Sequence, residues 1–573
     1  MGNMQIIFGT TARYSPLEAG YGLVKANTIV AKTTDRFYVR LAEMPDGFGK
    51  AHARICQVDS GRELWCGSLH KRTQAEMILT LPEGRQQLSI SVNRGSESYT
   101  EQHFEVLVVK NMHERRQFGA RYGSLEYDLP VVTGEGQTTD WKSLWKTGSY
   151  PDIIVDFEQP WKFMLWRGMS YAPCWALDNV LTCLFFTETI DVERHPDCCE
   201  MMSDRECRYV HARVIHSTDA RVVIHWRCAL NDPNYAICDN EWTDEIYYLY
   251  PDGVCTRTAT IYLDPQNDAL FRKCPETGQK IPVDFFHADK VRAHNDQEFI
   301  VVNPAGSCPE DNLPPGAMTL MDCQDYRQEI VWPDPRKSLP DLPELEEYIY
   351  LVNFRSRPSV FLATPGGGVS LSLQPPVGSR YDRKTNSWKN ITEIPCMFSC
   401  YIHWPVTRGY STTPLADRST CEFRPTHTFL GHSCNRPISV DESGACTWAW
   451  LFGIAPEEET VLRNRVREWT KPADLVILKG NAVCKGYMPA ERAYLLEVNG
   501  RATFTVEFQG DGHEVKPVFL LRGCESMEYD IQVNDRRLNR DEYALGIEKS
   551  LHYVQTVVVF KNSVRIGDTI RFE

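Results

Sequence analysis

Alternation of period two, carried across successive turns, constrains this chain more than any other feature. It runs from Cys207 to Asp264, as CRYVHARVIHSTDARVVIHWRCAL and then WTDEIYYLYPDGVCTRTATIYLD. Such alternation is the mark of half-buried β-strands, and the turns between make it a pair of hairpins. In the first strand Val210, Ala212 and Val214 point one way, and Tyr209, His211 and Arg213 the other. In the second, Val222, Ile224, Trp226 and Cys228 share a face opposite Arg221, His225 and Arg227. A sheet with one buried face must bring the apolar sets together. Pairing Val214 with Val222 or Ile224 does so, through a loop around Ser217–Ala220. The same register collects His211, Arg213, His225 and Arg227 on the other face. A solvated outer face explains such a set as well as a site does. Its composition favours a site: imidazole exchanges protons near neutral pH, and guanidinium forks onto carboxylate or sulfate. Tyr247, Tyr248, Tyr250 and, beyond the PDG turn at 251–253, Arg257 extend the polar inventory.

At 573 residues the chain is long enough for about three or four domains, or one large sheet domain with satellites. Six alternating segments with turns at PDG, DSG and PEG between residues 20 and 110 read as an immunoglobulin-like sandwich without chemistry, assigned here to 1–112. A main β domain over 113–480 and a last β-sandwich over 481–573 follow. The expected class is all-β, with a large multi-stranded, supersandwich-like catalytic domain flanked by smaller sandwiches. A β-propeller is the alternative, disfavoured because no repeat near blade length stands out. One helix is predicted at 456–469, PEEETVLRNRVREW, with Pro at its start, acids early and bases late.

A net charge of −14 argues against nucleic acid as a partner, and no apolar run reaches the ~20 residues of a membrane span. The start, MGNMQIIFGTTARYS, is strand-like and lacks a leader signature, so the expected location is the cytoplasm, or the periplasm or exterior if a leader is missing. The 20 cysteines are scattered, several inside apolar strands (Cys174, Cys183, Cys228, Cys255), which suits reduced core thiols. His195, Cys198, Cys199 and Cys207 match no zinc spacing, and ordinary loop thiols are the simpler reading. Two more stretches place polar groups where a core would not want them. WRGMSYAPCW (166–175) carries Arg167, Gly168, Ser170 and Tyr171. The irregular 401–432 segment carries His403, Arg408, Arg418, His427 and His432.

Four motifs together resemble the ulvan lyases and their relatives among bacterial polysaccharide lyases. They are WRGMSY (166–171), the CRYVHARVI…ARVVIHWR hairpin (207–227), DEIYYLYPDG (244–253) and HWPV (403–406). The likeness spans about residues 140–490. The chain departs from the family pattern where ALDNVL follows WRGMSYAPCW, and where TRGYSTTPLADR follows HWPV. The resemblance implies β-elimination on a uronic-acid-containing glycan, sulfated in an ulvan-like case. Such chemistry needs a group to neutralise the C5 carboxylate, a base for the C5 proton and an acid for the departing O4. The expected catalytic set is His225 as base, Tyr248 as acid, Arg227 on the carboxylate and His211 as partner. Arg257 and Arg213 join the anion contacts, and Trp166, Arg167, Tyr171 and His403 line the groove. No cofactor is required, and calcium is compatible. Two other classes stay open. A glycoside hydrolase needs two carboxylates across the bond, which adjacent Asp244 and Glu245 cannot supply alone, though Asp178 or Glu200 offers a partner. A non-catalytic carbohydrate-binding protein needs only the aromatics.

Overall fold

The computed structural model describes residues 6–10, 28–41, 50–109, 118–123, 130–132, 138–140, 151–189, 199–262, 271–273, 280–282, 293–303, 309–331, 338–339, 345–373, 379–382, 387–390, 426–441 and 443–573, with breaks of one to three residues inside some of these ranges. The fold is largely β, in several multi-stranded antiparallel sheets, and no barrel or propeller closure occurs among the described residues. Two compact units divide the chain: residues 1–115 with 122–128, and residues 116–121 with 129–573. The first holds a five-stranded and a three-stranded sheet over a core that includes Phe37, Val39, Ile55, Leu88 and Ile90.

The second unit is built on an 11-stranded and a 10-stranded sheet. Five strands of the latter frame the candidate site: β1 (His211–Ser217), β2 (Val222–Asn231), β3 (Ile237–Leu249), β4 (Val254–Tyr262) and β5 (Cys446–Ile454). They lie side by side in that order, with β1 at the edge. Thr218 closes the β1–β2 turn, its hydroxyl donating to the Arg221 carbonyl at 3.0 Å and accepting from the Arg221 amide at 3.2 Å. The β3–β4 turn is the PDG sequence, with Gly253 in the left-handed region at φ 75° and its amide on the Tyr250 carbonyl at 2.9 Å.

One face of the 10-stranded sheet packs on the 11-stranded sheet. Phe163 of strand Trp161–Trp166 sits with its ring centroid 5.7 Å from Tyr247 and 5.6 Å from Phe452, and Trp175 lies 6.2 Å from Phe452. Burying rings of this size is where such a pair of sheets gains most of its stability. A buried ion pair crosses the same layer: Arg257 bonds Glu245, which accepts from Thr187 of the facing sheet at 2.8 Å.

The other face is covered in part. Helix α1 (Glu459–Thr470) buries Leu462, Val466 and Trp469, spaced to share one stripe, against Ala449, Leu451, Phe361 and Ile349. A C-terminal pair of five-stranded sheets, residues 474–572, sits beside it. Strands Ala493–Val498, Val518–Arg522, Tyr543–Lys549 and Val554–Phe560 are buried on both sides, which explains the continuous apolar run VVVF. Leu496, Phe519, Val558 and Phe560 face the sandwich core, while Leu495, Val518, Val557 and Val559 pack on Ala220, Tyr248 and Tyr250.

The thirteen cysteines whose side chains are described are free thiols, ten of them buried, as expected of core thiols. Cys199 packs with Leu230 and Cys238, while His195 and Cys198 lie outside the described residues. No described group of three or more His, Cys, Asp and Glu side chains is placed to hold a metal. No described helix is long and apolar enough to cross a membrane.

Candidate functional site

The β1–β2 register is one of the two that apolar pairing allows. Val214 lies opposite Ile224 and Ala212 opposite Trp226, so Arg213 faces His225 and His211 faces Arg227. Directly opposed residues share a face, and the ladder continues into β3 and β4. One row on the outer face therefore reads His211, Arg227, Asp244, Thr260, and the next Arg213, His225, Ile246, Thr258. The register then slips between Val214 and His216. This bulge turns His216 to the outer face as well, opposite Val223 and in a third row with Tyr248. Strict alternation would have placed His216 with Val214, on the inner side.

His225 is the centre of the group. Its Nε2 lies 2.7 Å from Asp244 Oδ1, and Arg227 Nη1 lies 3.3 Å from the other oxygen. Asp244 considered only as a hydrolase carboxylate misses this role; its alternation with His225 parity in DEIYYLY was the available signal. A carboxylate accepting from Nε2–H fixes the tautomer and leaves Nδ1 as the basic nitrogen. Among the described residues Nδ1 has no hydrogen bond. Arg227 is 46 % exposed and also rests over the Trp242 ring, 5.0 Å from its centroid. His211 and Arg213 are exposed, and neither has an ion pair among the described residues.

Tyr248 stands diagonally across from His225, a spacing of about 7–8 Å between such positions on neighbouring strands. Its ring is part-buried against the C-terminal strands, with the Arg221 guanidinium 4.9 Å from its centroid. Burial pushes the Tyr248 phenol well above the ordinary tyrosine range, with Glu491 adding to the effect, so it stays protonated. Arg221 is itself locked by Glu548 at 2.7 Å and Glu491 at 2.8 Å. The open rows thus form a shelf that ends at the C-terminal sandwich.

Four expected site residues do not join this shelf. Arg257 pairs with Tyr247 in register, which places it on the inner face, fully buried against Glu245 and 4.4 Å from the Trp450 ring. Burial disfavours its charge, but Glu245 and Tyr247 more than offset that and hold the guanidinium protonated. Trp166, Arg167 and Tyr171 are core positions of the other sheet, 1 %, 5 % and 5 % exposed, rather than groove walls. Left-handed backbone at Ser170 and Tyr171 curls this segment inward, so that Tyr171 donates to the Pro151 carbonyl at 2.8 Å. The segment instead braces the loop before β1: Ser170 donates to the Asp204 carbonyl, and Asp204 accepts the amides of Arg208, Tyr209 and Val210 at 2.7–2.8 Å. His403, Arg408, Arg418, Gly168 and Asp178 lie outside the described residues; strand Thr426–Asn435 carries His427 and His432. Glu200 is buried at a short strand paired with Glu188.

A surface recess of about 910 Å³ lies elsewhere, in the C-terminal sandwich, lined by Asn534, Arg536, Arg565 and Asp568 among others. Its polar groups bond one another, as Asn534 does Asp568 at 2.9 Å, and it holds none of the shelf residues.

No protein-family model matches the chain, and no curated protein matches it. Among solved structures, a DUF4784 family protein from Bacteroides caccae ATCC 43185 is 12 % identical over 69 % of this chain and 98 % of that one. The TM-score is 0.10, and so loose a likeness carries no argument.

Proposed function

We propose that the protein cleaves a uronic-acid-containing polysaccharide by β-elimination on the shelf formed by β1–β3. On this reading the two large packed sheets are the catalytic β-sandwich, with a smaller sandwich before and another after it in the sequence. The observation that carries it is His225, oriented by Asp244 at 2.7 Å and set directly opposite Arg213. Arg213 and Arg227 neutralise the C5 carboxylate, taking the place given to Arg257 by sequence. Nδ1 of His225 takes the C5 proton, the electron pair becomes the C4–C5 double bond, and the C4–O4 bond breaks. The protonated Tyr248 phenol gives its proton to the departing O4. His225 becomes an imidazolium, stabilised by Asp244. The Arg pair acts most strongly on the carbanion-like transition state, whose carboxylate gathers charge. His211 flanks Arg227.

A hydrolase reading is weaker here because Asp244 is turned to His225 and Arg227 while its neighbour Glu245 faces inward to Arg257. The test is ultraviolet absorbance of unsaturated product on a panel of uronate polysaccharides. Wild type should form it, and His225→Ala and Tyr248→Phe should each lower the rate by about 10²–10⁴-fold with little change in melting temperature. Reducing ends without that absorbance would establish a hydrolase; binding without either product would leave a carbohydrate-binding protein.

A further inference from the structure

The outer face of the 10-stranded sheet continues past the His211 row, and what stands there is aromatic. Trp242 of β3 is directly opposite Tyr262 of β4, two residues along from the Asp244–Thr260 pair. Both point outward, because they share parity with Asp244 and Thr260. Trp242 is part-buried and Tyr262 is 44 % exposed. An indole and a phenol on adjacent strands present about 5 Å of lateral spacing, enough for one continuous apolar strip. Opposite Trp242 on β2 stands Ala229, which is itself fully buried, so the strip opens on the Tyr262 side. Arg227 rests on the Trp242 ring at 5.0 Å, so the strip is continuous with the cationic shelf. In the ladder Tyr262 stands diagonally across from Asp244, the carboxylate that orients His225, and its phenol is pushed up by burial and then by that carboxylate.

We propose that Trp242 and Tyr262 form a stacking subsite for a uronate-containing glycan, holding sugar rings beyond the one that is cleaved. The occupant follows from the page: aromatic faces take the apolar faces of sugar rings, and the adjoining Arg227, Arg213 and His211 favour an anionic chain over a neutral one. From the Trp242 position to that of Ile246, which faces His225, the strand rises about 13 Å, room for more than one ring. The subsite rests on the elimination reading, which it extends, but its test does not depend on catalysis.

Retention of the protein in gels containing uronate polysaccharide measures binding, and unsaturated-product absorbance measures cleavage. Trp242→Ala and Tyr262→Ala should each weaken retention by about tenfold, the worth of one lost stacking contact. Trp242→Tyr, which keeps an aromatic face and a seat for Arg227, should restore most of it. If wild type cleaves, both alanine variants should raise KM on polymer far more than on the shortest cleaved oligosaccharide. Wild-type retention with equal retention of both alanine variants overturns the subsite, whatever the cleavage assay gives. Retention lost in the variants while wild type forms no unsaturated product keeps the subsite and overturns the elimination reading. Wild type that neither binds nor cleaves any of the polysaccharides overturns both. Self-association that Trp242→Ala abolishes would put a second copy of the chain on this face and overturn the glycan assignment.

Discussion

His225 and Arg257 show how two polar residues of one stretch serve opposite ends. His225 lies at the surface, part-buried, with a carboxylate at 2.7 Å on one nitrogen. Replacing Asp244 with Asn should release the tautomer while keeping the shape. Turnover should fall by about 10²-fold or more with KM and melting temperature nearly unchanged, measured by product absorbance and thermal unfolding. Arg257 has no such surface. Its charge is compensated inside the sandwich by Glu245, so Arg257→Ala leaves that carboxylate buried without its partner and should cost about 3–5 kcal/mol in denaturant unfolding. Arg227→Ala, at 46 % exposure, should do the reverse: small change in stability, raised KM and lowered turnover. The difference was partly legible. Register across the PDG turn counts Arg257 onto the Tyr247 side, away from His225. What alternation could not give is which side a second sheet covers, because both faces of β3 and β4 carry tyrosine, threonine and charge.

At the scale of elements, the shared face of the β1–β2 hairpin followed from pattern alone, because pairing Val214 with either Val222 or Ile224 keeps Val214, Ile224 and Trp226 together; the structure takes Val214 on Ile224. The bulge at Ile215 did not, since nothing in RVIHSTDARVV marks an extra residue that would bring His216 to the outer face. The helix begins at Glu459, three residues after the proline that marks it, and ends at Thr470, one beyond its expected last residue. The WRGMSY segment reads as functional by its polar residues; its burial comes from left-handed backbone at Ser170 and Tyr171, which sequence does not announce. The β4–β5 contact exposes another constraint of this kind. Gly453 has φ 153°, and a Cβ there would strike the Gly253 carbonyl of the PDG turn. The Ile454 amide bonds that same carbonyl at 3.0 Å, so the two strands cannot simply part. Gly453→Ala should therefore lower stability by about 1–3 kcal/mol, read as a shifted denaturation midpoint with an unchanged slope.

Across the whole second unit, the tip of that turn is also where the C-terminal sandwich is fastened, and the fastening is ionic. Asp252 lies 3.2 Å from Arg492 and 2.9 Å from Lys516, and Tyr250 donates to the Glu491 carbonyl. Arg221 makes the parallel contact with Glu548, which Gln555 also bonds at 2.9 Å. Burial alone would raise both carboxyls, but Arg492, Lys516 and Arg465 hold Asp252 well below the usual carboxylate range. Arg221, Gln555 and His216 likewise lower Glu548. Both groups thus bind a proton more weakly folded than unfolded, so between the two pKa values the unfolded chain carries more protons. Stability then falls as pH falls. The contribution should be complete above about pH 5 and lost progressively from about pH 4 downward, as the pH drops through the unfolded values toward the folded ones. Asp252→Asn removes one of these groups from the titration. It should lower the melting temperature at neutral pH, where wild type keeps the full ionic contact, and flatten the acid limb below about pH 4. Melting curves of wild type and variant that run parallel from neutrality to the acid limit would show that the turn is not what acid releases, and Glu548→Gln would then separate the second fastening from the first.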